Sequence, residues 1–394
     1  MIDRLTLHNY KAFQHAEIPL GPLTLLTGLN SSGKSSVLQS LALLRQSYEA
    51  GDLMDTSFLP EARGLRTGVV NQGFLLNGEL VRLGTGEDIL HEDFIEDEPR
   101  IGLAVDQGRY HYGWVVEYNP EQNLLPLLDV DLPAFAEGER ERPTGPAGMI
   151  PAFLTAPFQY LHADRISPAE FYPRDHQVAI GRGFLGVRGE HTVNFLRHHR
   201  DASVPAGPLR HPKAASDLLI DQTAAWMGDL CPGVDIRAEA IKGTDAVSLS
   251  YGFQGTLGGT RRRRPSNVGF GLTYVLPIVV ACLSARPGSL ILLENPEAHL
   301  HPQGQTQMAT LAASAAAQGA QVIMETHSDH VINGVRLAVK QGRLAPGQAV
   351  FHYFRGDGTG VDFVSPQVDE DGMLDQWPSG FFDELENTLD QLIG

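Results

Sequence analysis

Residues 23–38 read LTLLTGLNSSGKSSVL. An apolar run closes on Gly28, a small polar loop follows, and an apolar run of helical type opens at Lys34. Residues Gly28-Leu29-Asn30-Ser31-Ser32-Gly33-Lys34-Ser35 match G-x-x-x-x-G-K-[ST] in full. Gly28 and Gly33 let the backbone turn tightly and approach an anion. The N–H groups around Asn30, Ser31 and Ser32, with the helix start at Ser35 and Ser36, then point at phosphates. Lys34 adds a point charge at the β/γ-phosphates of ATP, and Ser35 offers its hydroxyl to Mg2+. The motif needs a strand before it and a helix after it. The pattern predicts both, with the helix running from about Gly33 to Tyr48.

A second stretch, LILLENPEAHLHP at 290–302, is an apolar strand ending in Glu294. Beside a phosphate loop, such an acid supplies the oxygen that Mg2+ needs, opposite Ser35. A third, QVIMETHSDH at 321–330, ends a further apolar strand in Glu325-Thr326-His327-Ser328. His327 there is a candidate partner for a γ-phosphate or an attacking water; standing alone it would read as a solvated loop histidine. A fourth, SNVGFGLTYVL at 266–276, sets Gly269 and Gly271 before an apolar helix, with Ser266 or Asn267 suited to the N-cap. By local chemistry this segment reads equally as a plain cap and as a second anion site.

Strand and helix patterns alternate after residue 267: helices over 270–285, 302–318 and 329–341, strands SLILLE, QVIMET and AVFHYF, then a final strand and helix. Such alternation predicts an α/β fold, a parallel or mixed sheet flanked by helices. At the other end RLTLHNY and AEIPL predict a hairpin-like entry before the buried strand LTLLT. Short candidate strands follow at GELVRLG, RIGLAVD, YHYGWVVEY and NLLPLL. Residues 50–72 and 131–150 read as loops, 158–164 as a strand, 214–230 as a helix, and 234–239 and 245–253 as strands. The expected organisation is an N-terminal lobe at 1–130, a β-rich and helical insertion at 131–264, and a C-terminal lobe at 265–394. One sheet is expected to be assembled from both ends.

The 394 residues carry a net charge of −17 with 42% hydrophobic residues. That supports a large globular core and excludes a uniformly basic nucleic-acid surface, though not a local basic patch. Arg261-Arg262-Arg263-Arg264 is one such run, compatible with nucleic acid, phosphates or an acidic partner, and equally with a solvated loop tip. RHHR at 197–200 has no carboxylate framework for a metal. Cys231 and Cys282 show no metal or disulfide spacing and read as small apolar residues. No signal peptide or membrane span is evident, so a cytoplasmic location is expected and a membrane is not.

Together the opening LTLHNYKAF, the loop GLNSSGKSS, and the segments NVGFGLTYVLP, LLENPEAHLHP and ETHSDHVING resemble ABC-type ATPase heads. More narrowly they resemble RecF/SMC-like and OLD-family (overcoming lysogenisation defect) ATPases. YLHADRISP at 160–168 matches loosely, and the tail QWPSGFFDELENTLDQLI resembles a bacterial ATPase subgroup found in phage-defence loci. The resemblance implies an ATP- and Mg2+-dependent homodimer in which two heads sandwich two nucleotides. Asn267, Gly269 and Gly271 of one copy would cap the γ-phosphate held by the other, His327 would be the switch histidine, and Arg165 a conformational or nucleotide contact.

Two departures from that pattern matter. Where the family carries a second, water-orienting acid, this chain has Asn295, and an amide cannot accept a proton from water. Glu297 would substitute if the turn after Pro296 swings it in; otherwise hydrolysis would be slow. About 55 residues follow the last shared motif, too few for a Toprim nuclease domain as well as the closing elements. The acidic cluster with Asp369 and Asp371 reads as a polar turn, so any cutting is expected from a separate effector protein. The expected function is thus a slow ATPase switch acting on a partner, with a non-hydrolysing ATP-gated scaffold as the alternative.

Overall fold

The computed structural model describes residues 1–53, 72–94, 99–132, 150–230, 233–255, 258–259, 261–356, 361–378 and 391–392. The expected loops at 50–72 and 131–150, Cys231, and most of the closing helix lie wholly or mainly outside them. In chain order the elements are β1 (Arg4–Tyr10), β2 (Phe13–Pro19), β3 (Leu23–Gly28), α1 (Lys34–Glu49), β4 (Gly73–Leu75), α2 (Gly86–Ile89), β5 (Arg100–Gln107), β6 (Tyr110–Glu117), β7 (Leu124–Asp131), α3 (Ala152–Thr155) and β8 (Phe158–Leu161). They continue with β9 (Tyr172–Pro173), α4 (Thr192–His199), α5 (Leu219–Leu230), β10 (Val234–Ala240), β11 (Ala246–Gly255), β12 (Gly258–Gly259), α6 (Phe270–Ser284), β13 (Leu290–Glu294), α7 (Pro302–Ala317), β14 (Gln321–Glu325), α8 (Asp329–Lys340), β15 (Ala349–Gly356) and β16 (Val361–Val364).

The chain forms two compact units. The first comprises Met1–Gly21, Leu29–Ala156 and Phe354–Phe363. Its antiparallel sheet has the order β2-β1-β5-β6-β7-β4. Leu5 pairs with Ile18 on one side and Val105 on the other, and Leu7 with Ala16 and Leu103. All six are buried. This period-2 burial is what one apolar sheet face requires, and each buried Leu or Ile stabilises by roughly 1.5–3 kcal/mol. The expected strand GELVRLG is instead a turn with one bridge, Asn77 to Arg82. Its polar groups are taken by side chains. Gln46 of α1 accepts from Leu80 and Val81 N–H at 2.9 and 3.0 Å, and Asn77 bonds both the N–H and the carbonyl of Gly84.

The second unit comprises Pro22–Gly28, Pro157–Tyr353 and Val364–Gly394. In it β3, β14, β13 and β8 lie side by side in parallel. Thr27 Oγ1 donates to the His352 carbonyl of β15 at 3.0 Å, on the far side of β3 from β14. The expectation of one sheet from both ends holds for β3 but not for the hairpin: β1 pairs with β2 on one side and with β5 on the other instead. The reason lies in the patterns. β3 is buried from Leu23 to Thr27 without alternation, as a central parallel strand must be, whereas β1 alternates. Helix α6 is buried from Leu272 to Leu283, including Cys282, whose thiol burial pushes up to about 12. The expected helix at 214–230 begins only at Leu219. Ser216 takes the preceding backbone and side chains into local bonds with Leu218 and Asp221 at 3.1 and 2.5 Å.

Candidate nucleotide site

The parallel register aligns the strand ends. Leu26 pairs with Glu325, and Glu325 pairs with Glu294. The ladder runs one step further: Thr326 N–H donates to Leu26 at 3.0 Å and Asn295 N–H to Glu325 at 2.9 Å. The carboxyl ends of parallel strands are where α/β sheets bind ligands. Gly28, Glu294 and His327 all belong to this row of strand ends.

Glu294 is held on both oxygens. Tyr160 of β8 donates its hydroxyl to Oε1, and Ala163 N–H donates to Oε2 at 3.0 Å. Each oxygen keeps a further lone pair. Asn295 follows in the left-handed region, φ 42°, a conformation asparagine tolerates better than glutamate does. That turn brings Glu297 back, so that its Oε1 accepts the His327 N–H at 2.8 Å. Asn295 Oδ1 and Glu297 Oε2 are buried acceptors without a hydrogen bond among the described residues. The His327 ring is 36% exposed, its Nε2 3.9 Å from Glu325 Oε1. Ser328 caps α8, accepting from Val331 N–H at 3.2 Å, which fixes where the strand stops and the helix starts.

Arg165 is 2% exposed and touches backbone rather than solvent, so it is not a surface nucleotide contact. Its guanidinium donates to the carbonyls of His162, Tyr274, Glu294 and Asn295 at 2.9, 3.1, 2.7 and 2.8 Å. Burial pulls its pKa down to about 10, opposed by the nearby Tyr274, Glu297, Glu294 and Asp164.

Within the first unit, the loop from Leu29 closes on its own lysine. Lys34, 3% exposed, donates to the Leu29 carbonyl and to Ser32 Oγ, and Ser32 Oγ donates to Leu29 at 2.7 Å. Ser31 and Gly33 take positive φ, 62° and 83°. A Cβ on Gly33 would lie 2.7 Å from the Phe13 ring. No side chain caps α1 and its first turn holds no acid, so its N-terminal dipole is left for an anion. Asn30 and Ser31 are exposed, and Ser32 and Ser36 buried.

Asn267 ends a 3-10 turn, Pro265–Asn267, and Val268 is extended, so the cap of α6 is Gly269 rather than Ser266 or Asn267. Gly269 is exposed with open space where a Cβ would be, whereas a Cβ on Gly271 would meet the His299 carbonyl at 2.6 Å. Of the arginine run, Arg262 pairs with Asp235 and Arg264 with Glu170, while Arg261 and Arg263 are exposed. Asp369 accepts from Asp371 and Met373 N–H at 2.9 and 2.8 Å, closing a turn. Among the described residues no group of three or more His, Cys, Asp or Glu could hold a metal. In the second unit Glu294 offers the kind of hard oxygen donor that Mg2+ takes alongside phosphate and water. The lone pair left on each Glu294 oxygen fits that role.

The sequence reading gave no role to Tyr160, Ala163, Tyr274 or His299. Tyr160 stands two residues beyond the start of an apolar run, a signal that means something only once β8 is known to pair with β13.

Three family models match parts of the chain: "AAA ATPase domain" over residues 1–83, "AAA domain, putative AbiEii toxin, Type IV TA system" over 195–333, and "Protein of unknown function (DUF3696)" over 344–392. Parts of the chain are thus similar to AAA ATPase domains, and its fold resembles that of SMC heads. One SMC head structure, bound to the C-terminal winged-helix domain of ScpA, is 14% identical with a TM-score of 0.52 over 93% of this chain and 98% of its own. Another is an SMC head with an extended coiled coil bound to the C-terminal domain of ScpA, from Pyrococcus furiosus. It is 13% identical with a TM-score of 0.50, over 100% and 99%. At such identity the likeness is one of fold. No curated protein matches the sequence. The family-model matches support an ATP-binding ATPase, and the structural matches support its fold. No described helix is long and apolar enough to cross a membrane.

Proposed function

We propose that this protein is an ATP-driven switch: two copies close on two ATP molecules, and their geometry controls a separate effector, a nuclease in the reading we favour, in an OLD-related defence role. The observation that carries it is the row of strand ends joining Gly28, Glu294 and His327, with Glu297 turned back onto His327. Gly28, Asn30, Ser31, Ser32, Gly33, Lys34, Ser35 and Ser36 bind the phosphates. Ser35 and Glu294 hold Mg2+, which when bound neutralises charge on the transferring phosphoryl oxygens.

Glu297, rather than the residue at 295, takes the role of the water-orienting acid, and His327 meets the γ-phosphate. Asn267, Gly269 and Gly271 act on the partner copy's nucleotide. Gly269 suits this best, being exposed at an uncapped helix start. SMC heads bound to ScpA domains are support for a partner protein. Arg261 and Arg263 are the candidate contacts for nucleic acid, since Arg262 and Arg264 are engaged in ion pairs.

The second reading, an ATP-gated scaffold with little turnover, is favoured by Asn295 and by the bond that engages one oxygen of Glu297. Steady-state ATP turnover and ATP-dependent dimerisation, measured with and without DNA and co-purified partners, separate the two. No hydrolysis under any condition would end the enzyme reading, and no nucleotide-dependent dimer would end both.

A further inference from the structure

We propose that Arg165 is a positioning residue: it fixes the turn carrying Glu294, Asn295 and Glu297 from behind, and ties that turn to the first residues of α6 through Tyr274. The inference rests on the proposed role of Glu294 in holding Mg2+.

Three segments converge on this one side chain. The carbonyls of Glu294 and Asn295 come from the turn after β13, that of His162 from the loop after β8, and that of Tyr274 from α6. A guanidinium presents five N–H donors in a planar fork; an ammonium has three on a point. Only the fork spans these carbonyls at once. Its bonds go to carbonyls and not to carboxylates, an expensive way to bury a charge if packing were its whole purpose. Glu297 and Glu294 lie close enough to act on its charge.

Tyr274 extends the connection. Its hydroxyl donates to the Ala163 carbonyl and accepts from Arg165 N–H at 3.2 Å, and Ala163 N–H in turn holds Glu294 Oε2 at 3.0 Å. The guanidinium lies 4.4 Å from the centre of the Tyr274 ring, and His299 packs edge-on to the same ring at 4.7 Å. His299 also packs on Phe270 at 4.8 Å, and its carbonyl lies against Gly271. A displacement of the start of α6, where Gly269 is exposed, therefore reaches the backbone that aims Glu294 and Glu297 through contacts made at two points. The path lies wholly within the second unit.

The test uses Arg165→Lys and Tyr274→Phe in the full chain, with thermal unfolding to establish that each folds. ATP affinity is measured in EDTA and in Mg2+, and kcat and KM are measured alongside. Affinity in EDTA should stay within about twofold of wild type, because the Arg165 guanidinium is buried and bonded to backbone carbonyls. The gain in affinity on adding Mg2+ should be largely lost, and kcat should fall about tenfold or more with little change in KM, since small misplacements of reacting groups cost that much. Folded variants that keep both the Mg2+ gain and kcat within about twofold of wild type would overturn the proposal. If Arg165→Lys does not fold, Tyr274→Phe decides by the same criterion, as it removes one hydroxyl and keeps the ring. A wild type that binds ATP more tightly with Mg2+ but hydrolyses none would end the ATPase reading alone, and the Mg2+ gain of the variants would still decide this one. A wild type with no Mg2+ gain would end this one.

Discussion

Glu297 accepts the backbone N–H of His327 at 2.8 Å, although the two residues come from turns after different strands. The bond joins the turn after β13 to the end of β14 and leaves Glu297 Oε2 buried without a hydrogen bond among the described residues. A carboxylate so placed is oriented by one oxygen and keeps the acceptor capacity of the other.

Glu297→Gln keeps an acceptor for the His327 N–H but removes the carboxylate that is the base in the proposed function. Turnover is expected to fall about 100-fold, the lower range for losing a general base, with ATP affinity within about twofold. Single-turnover hydrolysis with radiolabelled ATP reads this directly. Unchanged turnover would favour the scaffold reading.

Asn295→Glu restores an acid at the strand end but places it in a left-handed backbone, φ 42°. The strain is expected to cost about 1–2 kcal/mol of stability. If Asn295 is what makes the switch slow, turnover should rise despite that loss. Denaturant titration and ATPase rates on the same preparation check both halves, and a level or lower rate clears Asn295 as the cause.

Lys34→Ala removes the ammonium that closes the loop on Leu29 and Ser32. A charge-assisted bond is worth about 1.5–3 kcal/mol, so ATP affinity should drop roughly 10- to 100-fold. Equilibrium binding of a fluorescent nucleotide measures it.

Gly269→Ala and Gly271→Ala should behave differently. The first enters open space and should leave the fold unaltered; the second drives a Cβ to 2.6 Å from the His299 carbonyl and should cost about 1–3 kcal/mol by overpacking. If the segment caps a partner's nucleotide, Gly269→Ala alone should weaken ATP-dependent dimerisation while melting as wild type does. Analytical ultracentrifugation with ATP, beside thermal melts, distinguishes a contact between copies from a packing requirement.

Local chemistry carried much of this site. The loop at 28–35, the acid at Glu294 and the histidine at His327 are legible because each ends an apolar run in a chemically distinct residue, and strand ends are local events. The helices after residue 267 are legible for the same reason: α6, α7 and α8 begin and end within a residue or two of their patterns. Spatial partners are not local. That Tyr160 hands its hydroxyl to Glu294, 134 residues later, depends on β8 lying beside β13 in parallel register.

The sequence by itself determined the strand–loop–helix phosphate motif, the parallel α/β character of the C-terminal part, and the amide where an acid was expected, since these depend on residue type and short-range periodicity. Tertiary structure alone decided the remainder. Pairing set β1 between β2 and β5 rather than beside β3, the left-handed turn at Asn295 returned Glu297 to His327, and burial turned Arg165 onto backbone carbonyls. In each case the choice is made by which backbone groups and buried charges must find partners, and those partners are supplied by segments far away in the chain.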